Sequence, residues 1–94
     1  MEAKDILELI TETGKADDGL GGVQYELSIG LINKKFHGKV YGNIETQDDV
    51  FYAVFVNYWD ELEDKECATL LEAENFVKGK MTREGLEYYI LAQK

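Results

Sequence analysis

Val50–Trp59 reads VFYAVFVNYW: seven apolar residues without a break, then Asn57 and two aromatics. The run is apolar on both of its alternating sides and rich in β-branched and aromatic residues. It therefore reads as the central or most covered strand of a sheet. Upstream, Val23, Tyr25, Leu27, Ile29 and Leu31 alternate with Gln24, Glu26, Ser28 and Gly30, the period of a strand with one buried side. Asn33-Lys34-Lys35 supplies a reversal, after which Phe36, Val40 and Ile44 face a core while His37, Lys39, Tyr41, Asn43 and Glu45 face outward. Gly38 and Gly42 weaken that strand or mark bulges, and Thr46–Asp49 turns the chain again. The pattern predicts an antiparallel three-stranded meander over 23–32, 36–45 and 50–58.

The flanks change period. Ile6, Leu7, Leu9 and Ile10 fall at helical spacing, with Gly14 as a stop, which predicts a helix over 4–13. Gly14–Gly22, GKADDGLGG, reads as a flexible loop. After the meander, Cys67, Leu70, Leu71 and Val77 share a helical face, which predicts a helix over 63–78 with acid near its start and Gly79 at its end. Residues 83–93 read two ways. Thr82 with Met81 and Leu86 resembles an N-cap and staple, whereas Leu86, Tyr88, Ile90 and Ala92 alternate as a fourth strand would. The helical reading is preferred. The fold class expected is a single α+β domain spanning 1–94, with Leu27, Val54 and Leu70 in the core.

Ninety-four residues, 45% of them hydrophobic, bury roughly 60–68% of their unfolded surface without a staple. The one cysteine, Cys67, closes no internal bridge, and the start Met-Glu-Ala-Lys-Asp carries no apolar leader. No apolar run approaches the ~20 residues that span a bilayer. These features predict a cytoplasmic protein that does not enter membranes.

Chemistry is sparse. His37 is the only histidine, so no histidine dyad exists, and a metal site built on it would need Cys67 or carboxylates. Cys67 has no CxxC neighbour, and Ser28 sits in a strand without an elbow motif. Asp48-Asp49, Asp17-Asp18-Gly19 and Asp60–Asp64 lack the ordered spacing of a calcium loop, and the glycines around 19–22 have no phosphate-binding spacing. No catalytic residue, metal or cofactor is predicted. Direct nucleic-acid binding is disfavoured as well, because ten Lys and Arg face nineteen Asp and Glu. The double-stranded-RNA-binding module shares the order helix, three strands, helix, yet needs a basic helix end where this chain places acid.

What stands out is where the acid lies. Ten carboxylates between Ile44 and Glu74 face one cation, Lys65, so this stretch carries a local charge of −9, equal to that of the whole chain. Interleaved with Tyr52, Tyr58 and Trp59, such a surface suits a basic groove that normally holds DNA or RNA. In size, charge and α+β build the chain resembles, as a class and without a shared motif, the small acidic inhibitors of restriction or CRISPR nucleases encoded by phages. The function expected is non-enzymatic inhibition by contact, through Glu45, Asp48, Asp49, Tyr58, Trp59, Asp60, Glu61, Glu63 and Asp64. The alternative is an accessory or homodimeric α+β domain using a sheet face with Tyr41, Phe51, Phe55 and Trp59.

Overall fold

The computed structural model describes residues 2–14 and 22–93, so the loop expected over 14–22 lies, apart from its two end glycines, outside the described residues. The described chain is α+β: helix α1 (Ala3–Leu9), strands β1 (Thr11–Gly14) and β2 (Gly22–Ser28), a 3₁₀ turn (Ile29–Leu31), strands β3 (Lys39–Gln47), β4 (Val50–Val56) and β5 (Leu62–Cys67), and helix α2 (Leu70–Ala92). The strands form one antiparallel sheet in the order β1-β2-β3-β4-β5. No described helix is long and apolar enough to cross a membrane.

The meander is present, and two strands flank it. β2 and β3 keep the expected phase: Tyr25, Leu27, Val40 and Ile44 are buried, and Lys39 and Tyr41 are exposed. Asp48 and Asp49 both have positive φ (51° and 64°), as the two-residue turn joining β3 to β4 requires. The first correction lies upstream. The expected helix over 4–13 stops at Leu9, because Ile10 is extended and Thr11–Gly14 pairs with β2. Leu31, read as a core strand residue, lies in the 3₁₀ turn and is exposed.

The larger correction is downstream. Residues 62–67, expected to open a helix over 63–78, form β5 along the free side of β4, with Phe51 opposite Cys67 and Val56 opposite Leu62. Pairing with a strongly β-prone neighbour overrides the helical preference of Glu and Lys. The helix starts only after Thr69, whose hydroxyl accepts a hydrogen bond from the Glu72 N–H (3.1 Å). It then runs for 23 residues through Gly79, the expected stop, and through Thr82, the expected cap of a third helix. The two helices read after the meander are one, and the strand alternative over 83–93 is excluded.

α2 lies across β3, β4 and β5 and packs against α1. Ala73, Val77, Met81, Gly85 and Tyr88 are its buried positions. Gly42, read as a weak point of the strand, is where the helix seats: a Cβ there would run into Val77 Cγ1 and come within 3.0 Å of Met81 Sδ. At the other end, a Cβ on Gly85 would meet Ile6 Cγ2 at 2.5 Å and Leu27 Cδ2 at 3.2 Å, so α1 approaches α2 through this glycine. Asn33 ties the β2–β3 connection to the helix, donating from Nδ2 to the Tyr88 carbonyl (2.9 Å) and accepting from the Lys35 N–H (2.9 Å). Of the three expected core residues only Leu27 is fully buried. Leu70 is 46% exposed, and Val54 is half-buried on the side of the sheet away from α2.

Candidate functional site

Both helices cover the same side of the sheet. Residues directly opposite one another on neighbouring strands share a side, so the register assigns every position. Ile44 faces Ala53, Gly42 faces Phe55, and Phe51 faces Cys67, all beneath α2. The other side carries Tyr41 opposite Val56, Asn43 opposite Val54, Glu45 opposite Tyr52, Tyr52 opposite Glu66, Val54 opposite Asp64 and Val56 opposite Leu62. No described element covers it.

This uncovered face has an apolar centre and a charged border. Tyr41 is 45% exposed, Tyr52 37% and Leu62 61%, while Val54 and Val56 are half-buried between them. Among the described residues Glu26, Glu45, Asp64 and Glu66 stand around these side chains, against one lysine, Lys39, whose Nζ is held by Glu26 at 3.2 Å. Glu66, as hydrogen-bond acceptor and as a charge, raises the pKa of the Tyr52 hydroxyl. In the middle of the face Asn43 donates from Nδ2 to Glu45 Oε1 (3.1 Å), while its buried Oδ1 has no partner among the described residues.

The residues expected to form one acidic surface are divided among several places. Glu45 and Asp64 are on the uncovered face. Asp48 and Asp49 form the turn at one end of β4, and Trp59, Asp60 and Glu61 lie beyond the other end, about 20 Å away at ~3.3 Å per strand residue. Asn57 shapes that second turn: its Oδ1 accepts from the Trp59 and Glu61 N–H groups (2.9 Å each), and its Nδ2 donates to Glu61 Oε2 (3.2 Å). Trp59 is 65% exposed there, edge-on to Tyr58 with ring centroids 5.0 Å apart. Tyr58 is half-buried against Phe36 and Tyr88. Glu63 points to the helix side, where Lys80 Nζ lies 3.0 Å from its carboxylate. Since 62–67 is a strand, consecutive carboxylates fall on opposite sides of the sheet.

The aromatic face named from sequence needs the same correction. Tyr41 is on the open side, whereas Phe51 and Phe55 lie beneath α2 and Trp59 is in the turn. Sequence reading missed Val56 and Leu62, and it placed Tyr52 and Glu66 in the acidic stretch and Glu26 on the outer side of its strand without bringing them together on this face. A signal was available, since a helix needs small residues beneath it, and Gly42 and Ala53 mark which phase of β3 and β4 receives α2.

The remaining chemistry is quiet. Burial, and secondarily the Glu72 charge, pushes the Cys67 thiol up, away from a reactive thiolate. His37 is exposed in the connection before β3. No group of three or more His, Cys, Asp or Glu capable of holding a metal ion occurs among the described residues. No family model matches the chain, and neither a curated protein nor a solved structure matches it.

Proposed function

We propose that the protein is a non-enzymatic binding protein acting through protein–protein contact, with the uncovered sheet face as its contact surface and a basic protein surface as its partner. The observation that carries this reading is a sheet face with exposed Tyr41, Tyr52 and Leu62 at its centre and, among the described residues, four carboxylates against one lysine around them. An exposed apolar patch rimmed by charge suits a contact in which the centre supplies affinity and the border supplies orientation and rate. A nucleic-acid-binding groove, lined with Lys and Arg, has the complementary chemistry. A chain seated in it would inhibit by occupancy.

A second copy is the less favoured occupant, because two such faces in contact would set carboxylates against carboxylates. The test is titration of the isotopically labelled chain with a panel of basic nucleic-acid-binding proteins, nucleases among them, with and without competing duplex DNA. A partner should release its DNA to this chain, shift the amides of Tyr41, Tyr52, Val54 and Val56, and associate more slowly as salt rises. The triple variant Glu45→Gln, Asp64→Asn, Glu66→Gln should keep its fold and lose association rate. Unaltered association by that variant, or a mass twice 10.7 kDa in solution that Tyr52→Glu abolishes, would overturn the reading.

A further inference from the structure

Among the described residues, the opposite side of the sheet is incompletely covered. α1 is seven residues long and sits over the Leu27 end of β2, where Ile6 and Leu27 converge on Gly85. Among the described helices, the Val23 end has only α2 beside it. The gap is a cleft of about 300 Å³, at the lower end of the ~300–1,000 Å³ typical of ligand pockets. Its walls include Val23, Tyr25, Ile44, Phe51 and Leu70, and among the described residues it carries two carboxylates, Glu12 from β1 and Glu74 from the second turn of α2.

Three features define what such a cleft accepts. Neither Glu12 nor Glu74 belongs to an ion pair among the described residues, whose four pairs are Lys4–Glu2, Lys39–Glu26, Lys65–Glu72 and Lys80–Glu63. Lys78 stands over the Tyr25 ring at 5.2 Å and lines a neighbouring hollow with Leu7, Ile10, Glu12 and Tyr25, so it borders this cleft across Glu12 and Tyr25 without being one of its walls. Tyr25 is itself only 4% exposed, and its hydroxyl, pushed up by burial and by the Glu74 and Glu12 charges, remains a neutral hydrogen-bonding group. Two carboxylates are too few for a hard cation, which takes six or more oxygens, and the apolar wall would leave such an ion short of ligands. An anion is repelled.

We propose that this cleft binds a small organic ammonium ion, its charged nitrogen between Glu12 and Glu74 and its apolar body against Val23, Ile44 and Phe51. An ammonium group offers three donors to the two carboxylates and the Tyr25 oxygen. The hydrocarbon gains by leaving water for the apolar wall. The site is independent of the uncovered face, since it lies on the helix side of the sheet.

The experiment is an amide-shift titration of the full chain with 2-phenylethylammonium, and in parallel with 3-phenylpropionate and 2-phenylethanol as anionic and neutral shape matches. The ammonium should titrate to saturation and move Val23, Ile44, Phe51 and Leu70. The anion should not, and the alcohol should bind more weakly. Glu74→Gln, and separately Glu12→Gln, should weaken ammonium binding about five- to tenfold, while Glu66→Gln on the other side of the sheet leaves it unchanged. Equal binding of ammonium and propionate, full affinity in both Glu74→Gln and Glu12→Gln, or shifts confined to the uncovered face would overturn the proposal.

Discussion

At the scale of single residues, the molecule depends on places where a side chain is absent or constrained. Gly42 lets α2 rest on the backbone of β3. Gly42→Ala should cost about 1–3 kcal/mol by overpacking, and Val77→Ala in the same chain should recover part of that loss. A double-mutant cycle by chemical denaturation measures the coupling, and additive losses would show that the helix does not seat there. Glu84 is the reverse case, a polar group kept where it costs stability. Burial raises its pKa; the Tyr58 N–H, 3.5 Å from Oε1, opposes this, and Glu87, Glu61 and Glu63 reinforce it. A carboxyl whose folded pKa exceeds its unfolded value binds its proton more tightly in the folded chain. The resulting stability is present below about pH 4 and is lost as pH rises through the raised value. Glu84→Gln keeps an acceptor for Tyr58 and should therefore stabilise the protein at pH 7, with the gain vanishing near pH 4. Melting curves at the two pH values decide this.

At the scale of elements, β2, β3 and β4 were readable because alternation survives in any context where one side of a strand is buried. β5 was not, because Glu63–Glu66 offers no apolar alternation, and only the free edge of β4 makes those residues a strand. A charged edge strand also discourages pairing with another chain. α2 was hidden for a different reason. Gly79 and Gly85 each cost ~1 kcal/mol in a helix, yet burial of Ala73, Val77, Met81 and Tyr88 carries the helix through both, and at Gly85 the close approach of Ile6 requires the missing side chain. The acidic run was legible as a run. Its division between two sides of a sheet was not, since that division follows from a strand the sequence conceals. The start of α2 at Leu70 rather than 63 also moves Leu70 out of the core. Leu27→Ala should accordingly cost ~2–5 kcal/mol and Leu70→Ala about 1 kcal/mol or less. Comparable losses in urea unfolding would return Leu70 to the core.

At the scale of the whole molecule, a charge of −9 is spread over a body measuring 46 × 22 × 21 Å. The four ion pairs among the described residues are exposed or partly exposed and contribute little each. Repulsion among the remaining carboxylates thus outweighs attraction. The screening length shortens from ~30 Å at 0.01 M salt to ~10 Å at 0.1 M. The melting temperature should rise by a few degrees over that interval, and a fall would mean that the ion pairs matter more than the repulsion. The dependence of β3, β4 and β5 on α2 has a further consequence, for synthesis. A ribosome releases all five strands before the helix that roofs them. The nascent sheet therefore leaves the exit tunnel with one side bare and the other accompanied only by the short α1, with nothing to close over Ile44 and Phe55. Its strands are neighbours in sequence and meet early, but the final packing waits for the stretch between Ala73 and Tyr88. Protease resistance of arrested chains should appear only when that stretch has emerged, so this fold is completed only after α2 clears the tunnel.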